Sequence, residues 1–143
     1  MKIEQRKLSD IKPYPGNPRQ NDAAVDFVAA SIKDFGFRQP IVVDSEGVII
    51  CGHTRYKAAQ KLGLETVPVH VAKDLTPVQI KAYRIADNKT SDLAAWDYEL
   101  LPVELAALQD MDFDIAMLGF SKDELAKIFD TGCLLYTSDA ADE

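Results

Sequence analysis

A chain of 143 residues, 47% hydrophobic and 27% charged, suffices for one soluble core without covalent staples. No apolar run approaches the ~20 residues of a membrane span, and the start "MKIEQRKLSD" lacks a signal-peptide hydrophobic region, so a cytoplasmic location with no membrane partner is expected. A net charge of -7 argues against a general nucleic-acid clamp, and two cysteines, Cys51 and Cys133, against a disulfide framework.

Residues 2–8 alternate weakly and suit a short strand, and "IKPYPGNPR" (Ile11 to Arg19) is an extended, turn-rich loop. A helix is predicted from Asp22, with Val25, Val28, Ile32 and Phe35 on one apolar face and Gly36 ending it. Ile41 to Val43 and Val48 to Cys51 are short β-branched runs around Ser45-Glu46-Gly47, a hairpin signal. Residues 54–62 read as a helix with Tyr56, Ala59 and Leu62 inward, and "TVPVHVAK" as a strand that Pro68 assigns to a sheet edge. Thr76-Pro77-Val78-Gln79 is a capping-box start for a helix through "IKAYRIADN", after which "KTSDLAAWD" reads as a loop or single turn. Helices follow from Tyr98 to Asp110 and, capped by Ser121 to Glu124, through Phe129. Helices and strands mix without regular alternation, which predicts an α+β fold.

Charge is unevenly spread. Residues 1–60 carry nine Lys/Arg against seven Asp/Glu, and residues 61–130 carry seven against thirteen. An anion site is therefore to be sought in the first half. Around the junction "VIICGHTRYKAAQKLG", His53, Thr54, Arg55 and Lys57 crowd a predicted helix start that holds no acid. A helix N-terminus is partially positive and usually attracts acids. A bound anion removes the conflict: strand, glycine and helix together present backbone N–H groups that suit phosphate. Gly52 admits a close ligand, Thr54 offers a hydroxyl, and Arg55 a planar fork for phosphate oxygens. Two simpler readings stay open: Arg55 paired with a carboxylate, and His53 bonded to a turn carbonyl. Lys57 and Lys61 ordinarily form a solvated face. Cys51, ending an apolar run, reads as a small buried hydrophobe.

Over some 80 residues the chain resembles the N-terminal domain of the ParB family, whose fold sulfiredoxin shares. The matching marks are Asn17-Pro18-Arg19, Gly36 with Gln39-Pro40-Ile41-Val42-Val43, Gly52-His53-Thr54-Arg55 leading into Ala58, then Gly63 and Val67-Pro68-Val69. The resemblance implies a ParB/sulfiredoxin-like fold, a small mixed sheet with packed helices, that binds CTP or another NTP with magnesium. Gly52 and Arg55 fall in the turn that cradles phosphates in that family, with His53 and Thr54 between them, and Gly36, Gln39 and Pro40 in the segment near the base. A second phosphate motif aligns with Asp87-Asn88-Lys89-Thr90-Ser91, Asp87 standing as metal ligand and Asn88 as nucleotide contact. There Ser91 replaces the motif's arginine, which bears on triphosphate binding and leaves hydrolysis, and so enzymatic activity, open. Sulfiredoxin chemistry is disfavoured, because its catalytic cysteine directly precedes His-Arg, whereas Cys51 lies before Gly52.

The stretches "AYRIADNKTSDLAAWDYELLPVELAAL" and "DFDIAMLGFSKDELAKI" resemble the region after ParB-like domains fused to phage and bacterial DNA methyltransferases, which methylate exocyclic amino groups. The methyltransferase Pro-Pro motif and cofactor glycines are absent. "CLLYTSDAADE" resembles the translation of a sequencing adapter, so residues 131–143 are set aside as a non-native tail and the natural frame is expected to continue. The organisation read is a ParB/sulfiredoxin-like domain over 1–92 and a helical extension over 93–130. The function read is a nucleotide-binding module of a DNA-modification protein, with DNA engaged through the parent protein and a homodimer as a further partner. Alternatives are a non-catalytic docking module for DNA or a partner, a ParB-like nuclease, and a chromosome-partition protein. A helix-turn-helix is not evident in the acidic helices, which counts against partition.

Overall fold

Short β-branched runs and an aspartate-closed turn build the hairpin that carries the site. β2 (Ile41–Val43) and β3 (Ile49–Cys51) pair antiparallel, with Val42 opposite Cys51 and Val43 opposite Ile49. Asp44 Oδ1 closes the turn by accepting the amides of Glu46 at 2.9 Å and Val48 at 3.0 Å. The computed structural model describes residues 1–17 and 22–130. Pro18 and Arg19, marks of the family resemblance, and the 131–143 tail lie outside the described residues. The chain divides into two compact units, Met1–Leu93 and Ala94–Glu143.

In the first unit β1 (Glu4–Lys7) and β4 (Thr66–Val71) complete a mixed sheet of order β1-β4-β2-β3, with β4 antiparallel to β1 and parallel to β2. One face buries Ile41, Val43, Ile49, Val67 and Val69 against Ala59 of α2 (His53–Leu62). The other buries Ile50 and Cys51 with Ala72, packed by Ile80 of α3 (Pro77–Leu93). Each large side chain so enclosed contributes about 1.5–3 kcal/mol. The helix α1 (Asp22–Phe35) packs on α2 through Ala29 and half-buried Val25, Val28 and Ile32. Phe35, predicted to share that face, is 49% exposed.

Pro68 does not lie at an edge: β4 is flanked by β1 and β2. The reason lies in the ladder. Leu8 N–H donates to Glu65 O at 2.9 Å, and hydrogen-bonded pairs recur every second residue, so Gln5 opposite Pro68 is a non-hydrogen-bonded pair. The proline nitrogen thus faces the β2 side, where pairing begins only at Ile41 with Val69. No ladder bond is lost.

The capping box at Thr76 forms as expected: Thr76 N–H donates to Gln79 Oε1 at 2.9 Å, and Gln79 N–H to Thr76 Oγ1 at 3.2 Å. α3 then runs on to Leu93, through residues expected to be a loop. Thr90 and Ser91 are accommodated within it, both hydroxyls donating back to Asp87 O at 3.1 Å.

In the second unit, α4 is Leu101–Asp110 and α5 covers residues 122–130. α4 starts three residues later than expected, because Asp97 Oδ1 accepts from Glu99 N–H at 3.0 Å and Leu100 N–H at 3.2 Å and holds a separate turn. Leu105, Ile115 and Ile128 form its buried core. Ser121 and Glu124 exchange the expected capping bonds, both 3.0 Å. No helix among the described residues is long and apolar enough to cross a membrane.

Candidate anion-binding site

β3 ends at Cys51, and the chain turns into α2 through Gly52 at φ +106°. A Cβ on Gly52 would stand 3.0 Å from Arg55 Nη2 and 3.3 Å from Ile41 Cγ1, so only glycine leaves the guanidinium its place. Arg55, in the first turn of α2, folds back to the segment entering β2. Its Nη1 donates to Gln39 Oε1 at 3.3 Å and its Nη2 to Pro40 O at 3.2 Å. No ion pair joins it to a described carboxylate, and its Nε is buried without a hydrogen-bond partner. Burial lowers the pKa of Arg55, opposed by the neighbouring Cys51 and Asp87.

A cavity of about 240 Å³ opens at this turn, lined by Gly52, His53, Thr54, Arg55, Asp87 and Asn88 together with Asn17, Cys51, Lys57 and Ser91. Six of the eight site residues expected from the sequence thus meet at one place. The remaining two, Gly36 and Gln39, line a second cavity of about 280 Å³ with Val28, Ile32, Phe35, Phe37 and, again, Arg55. Asn17, Lys57 and Ser91 are additions to the expected wall. Asn17 carries a signal in the Asn-Pro-Arg mark, whereas the spacing of Lys57 suggests only a solvated face. Lys61, the other half of that face, pairs with Asp26.

Among the described residues His53 makes no hydrogen bond to a turn carbonyl. Its Nε2 accepts the Tyr14 amide at 3.1 Å, which puts the ring proton on Nδ1. Burial, helped by the charges of Arg84 and Lys57, lowers its pKa from 6.5 to about 4. The unfolded chain therefore takes up a proton at His53 near pH 6.5 and the folded chain only near 4. The stability contributed by the neutral ring is complete above 6.5 and is lost as pH falls toward 4. His53→Gln keeps an acceptor for Tyr14 but does not titrate. Its melting temperature is expected to fall less steeply across this window, measured by circular dichroism beside the unsubstituted chain. Equal slopes would contradict the assignment.

Cys51 is 7% exposed and its thiol is pushed up to about 11, by burial first and then by Asp87. A thiol held protonated is a weak nucleophile. Tyr83 is likewise raised, chiefly by Cys51 and by burial.

Residues 1–89 match the model of the ParB N-terminal domain. The chain belongs to the ParB N-terminal domain family. Residues 99–143 match the ParB-methyltransferase HTH domain, which bears out the resemblance to the region after methyltransferase-fused ParB-like domains and supplies the helix-turn-helix match that was not evident in the acidic helices. Within that stretch Leu105, Ile115 and Ile128 form the buried cluster. The ParB-like nuclease domain-containing protein YnaK of Escherichia coli is 40% identical over 80 residues, 55% of this chain and 92% of that protein. The chromosome-partitioning protein Spo0J of Thermus thermophilus is 32% identical over 129 residues, 84% of this chain but 43% of that one. The chain thus spans less than half of its partition relative. The C-terminally truncated chromosome-partitioning protein ParB of Caulobacter crescentus, complexed with CTP-γ-S, superposes with a TM-score of 0.73 at 23% identity, covering 90% of this chain and 77% of that one. At that identity the likeness concerns the ParB fold, and the mixed sheet described above is that fold.

Proposed function

We propose that residues 1–92 of this ParB-family chain are a nucleotide-binding module, for CTP or another ribonucleoside triphosphate, at the front of a DNA-modification protein. Residues 93–130 are the helical extension toward a methyltransferase domain. The observation that carries the reading is Arg55: one guanidinium shared by a polar cavity and an aromatic-lined one, with no described acid paired to it and its Nε unmet. A nucleotide offers what those two spaces accept, phosphate oxygens at one end and a flat, largely apolar base at the other. Gly52, His53, Thr54 and Asn88 shape the phosphate end; Gly36 and Gln39 border the base. The CTP-γ-S carried by the Caulobacter relative supports this choice of ligand.

Magnesium fits only as a guest of the nucleotide. Among the described residues Asp87 is the single carboxylate lining the polar cavity, and no group of three or more His, Cys, Asp or Glu gathers there as a metal site. Magnesium commonly binds through one or two carboxylates, waters and substrate phosphates, so Asp87 can supply one ligand and charge neutralisation beside Arg55. The match over residues 99–143 supports the methyltransferase connection. Residues 94–121 hold six acids and no Lys or Arg, so DNA contact is assigned to the parent protein or a homodimer, not to that stretch.

Charge-assisted bonds from Arg55 contribute about 1.5–3 kcal/mol each. Micromolar binding needs about 8 kcal/mol, so base contacts and magnesium must supply the rest. Calorimetry of the chain against CTP, ATP, GTP, UTP and inorganic tripolyphosphate, each with magnesium, tests this. At least one nucleotide is expected to bind more tightly than tripolyphosphate. No heat with any of them, or tripolyphosphate equal to all four, would overturn the reading.

A further inference from the structure

The segment 12–17, bridged to the hairpin at Lys12 opposite Val48, forms part of the polar cavity's wall through Asn17. Beyond that bridge, its Tyr14 ring is held by a side chain that the nucleotide reading leaves without a role. Arg84 of α3 is 4% exposed, the one buried charged residue among those described. Its guanidinium carbon lies 3.6 Å from the centroid of the Tyr14 ring, and its Nη2 donates to Ile49 O at 3.1 Å. Its Nε is buried without a partner, and no ion pair joins it to a described carboxylate. Burying an arginine this way is costly, and an apolar side chain of similar volume would commonly serve stability as well or better. Stability alone therefore does not account for it.

Tyr14 connects Arg84 to the cavity. Its amide donates to His53 Nε2 at 3.1 Å, and its carbonyl accepts the Asn17 amide at 3.2 Å. His53 and Asn17 both line the cavity, as does Asn88, whose Nδ2 donates to the Arg84 carbonyl at 3.0 Å. We propose that Arg84 is a positioning residue for the anion cavity: it clamps the Tyr14 ring and so sets the Asn17 and His53 sides of the wall. The clasp stands on this geometry, while its consequence for binding rests on the nucleotide reading above. The charge of Arg84 also reaches His53, helping to keep that ring neutral and accepting.

The test uses the full chain, its Arg84→Met and Arg84→Lys variants, and Tyr14→Leu as a second way to open the clasp should Arg84→Met not fold. Amide hydrogen exchange is read at Tyr14 and Asn17, CTP–magnesium binding by calorimetry, and melting by circular dichroism. Arg84→Met is expected to melt no lower than the unsubstituted chain, while both amides exchange at least about tenfold faster and CTP affinity falls about tenfold. Arg84→Lys, which keeps charge but not the flat stack, should fall between. Unchanged exchange in Arg84→Met, or in Tyr14→Leu if only that variant folds, overturns the clasp. Faster exchange with unchanged CTP affinity overturns the positioning role. Faster exchange in a protein whose unsubstituted form binds no nucleotide overturns the nucleotide reading and supports the clasp.

Discussion

Arg55→Ala is expected to weaken nucleotide binding on the order of a hundredfold, equivalent to about 3 kcal/mol, while leaving the fold nearly as stable. The two effects separate because the side chain is poorly rewarded within the protein. Its bonds to Gln39 and Pro40 are long, 3.3 and 3.2 Å, and its Nε is buried and unmet. Removing it forfeits about 0.5–1.5 kcal/mol for such a bond and relieves a desolvated charge. A ligand loses far more, since the same guanidinium borders both cavities. Arg55→Lys should recover only part of the affinity, because an ammonium cannot present the planar fork. Calorimetry and thermal melts on the same three proteins check this; affinity that survives Arg55→Ala removes the phosphate role.

Gly52→Ala is expected to damage both properties at once. The residue sits at φ +106°, and an added Cβ would meet Arg55 Nη2 at 3.0 Å and Ile41 Cγ1 at 3.3 Å. The backbone strain costs about 1–3 kcal/mol, and relief of the contacts must displace the guanidinium or the fully buried Ile41. Stability should therefore fall by about that amount, and nucleotide affinity with it. Gly63→Ala supplies the control. Gly63 also has positive φ, +71°, but nothing lies within 4 Å of its would-be Cβ and it is not among the residues lining the cavities. It should lose stability without losing affinity. Equal affinity losses at the two positions would mean that global destabilisation, and not the cradle, governs binding.

The strand-glycine-helix junction was legible because its signals are local. β-branched runs, a positive-φ glycine and clustered cations lie within a few residues, and the family marks around them recur in order. Both capping boxes were legible for the same reason, each being a reciprocal bond between residues three apart. The C-terminal stretch was legible as the region that follows methyltransferase-fused ParB-like domains, although its helix-turn-helix was not evident. The extent of α3 was missed because Ser and Thr serve turns as readily as they bond back within a helix.

By itself, then, the sequence determined the local elements and the junction at which the candidate residues cluster, since chain-neighbour chemistry decides those. Tertiary structure alone decided that β4 is central, because whether a proline costs a ladder bond depends on which partner its nitrogen faces. It alone showed Arg55 bordering both cavities, and placed Arg84 beneath Tyr14, 70 positions away in the chain. Contacts at such separation depend on how the sheet and helices pack, and no local spacing encodes them.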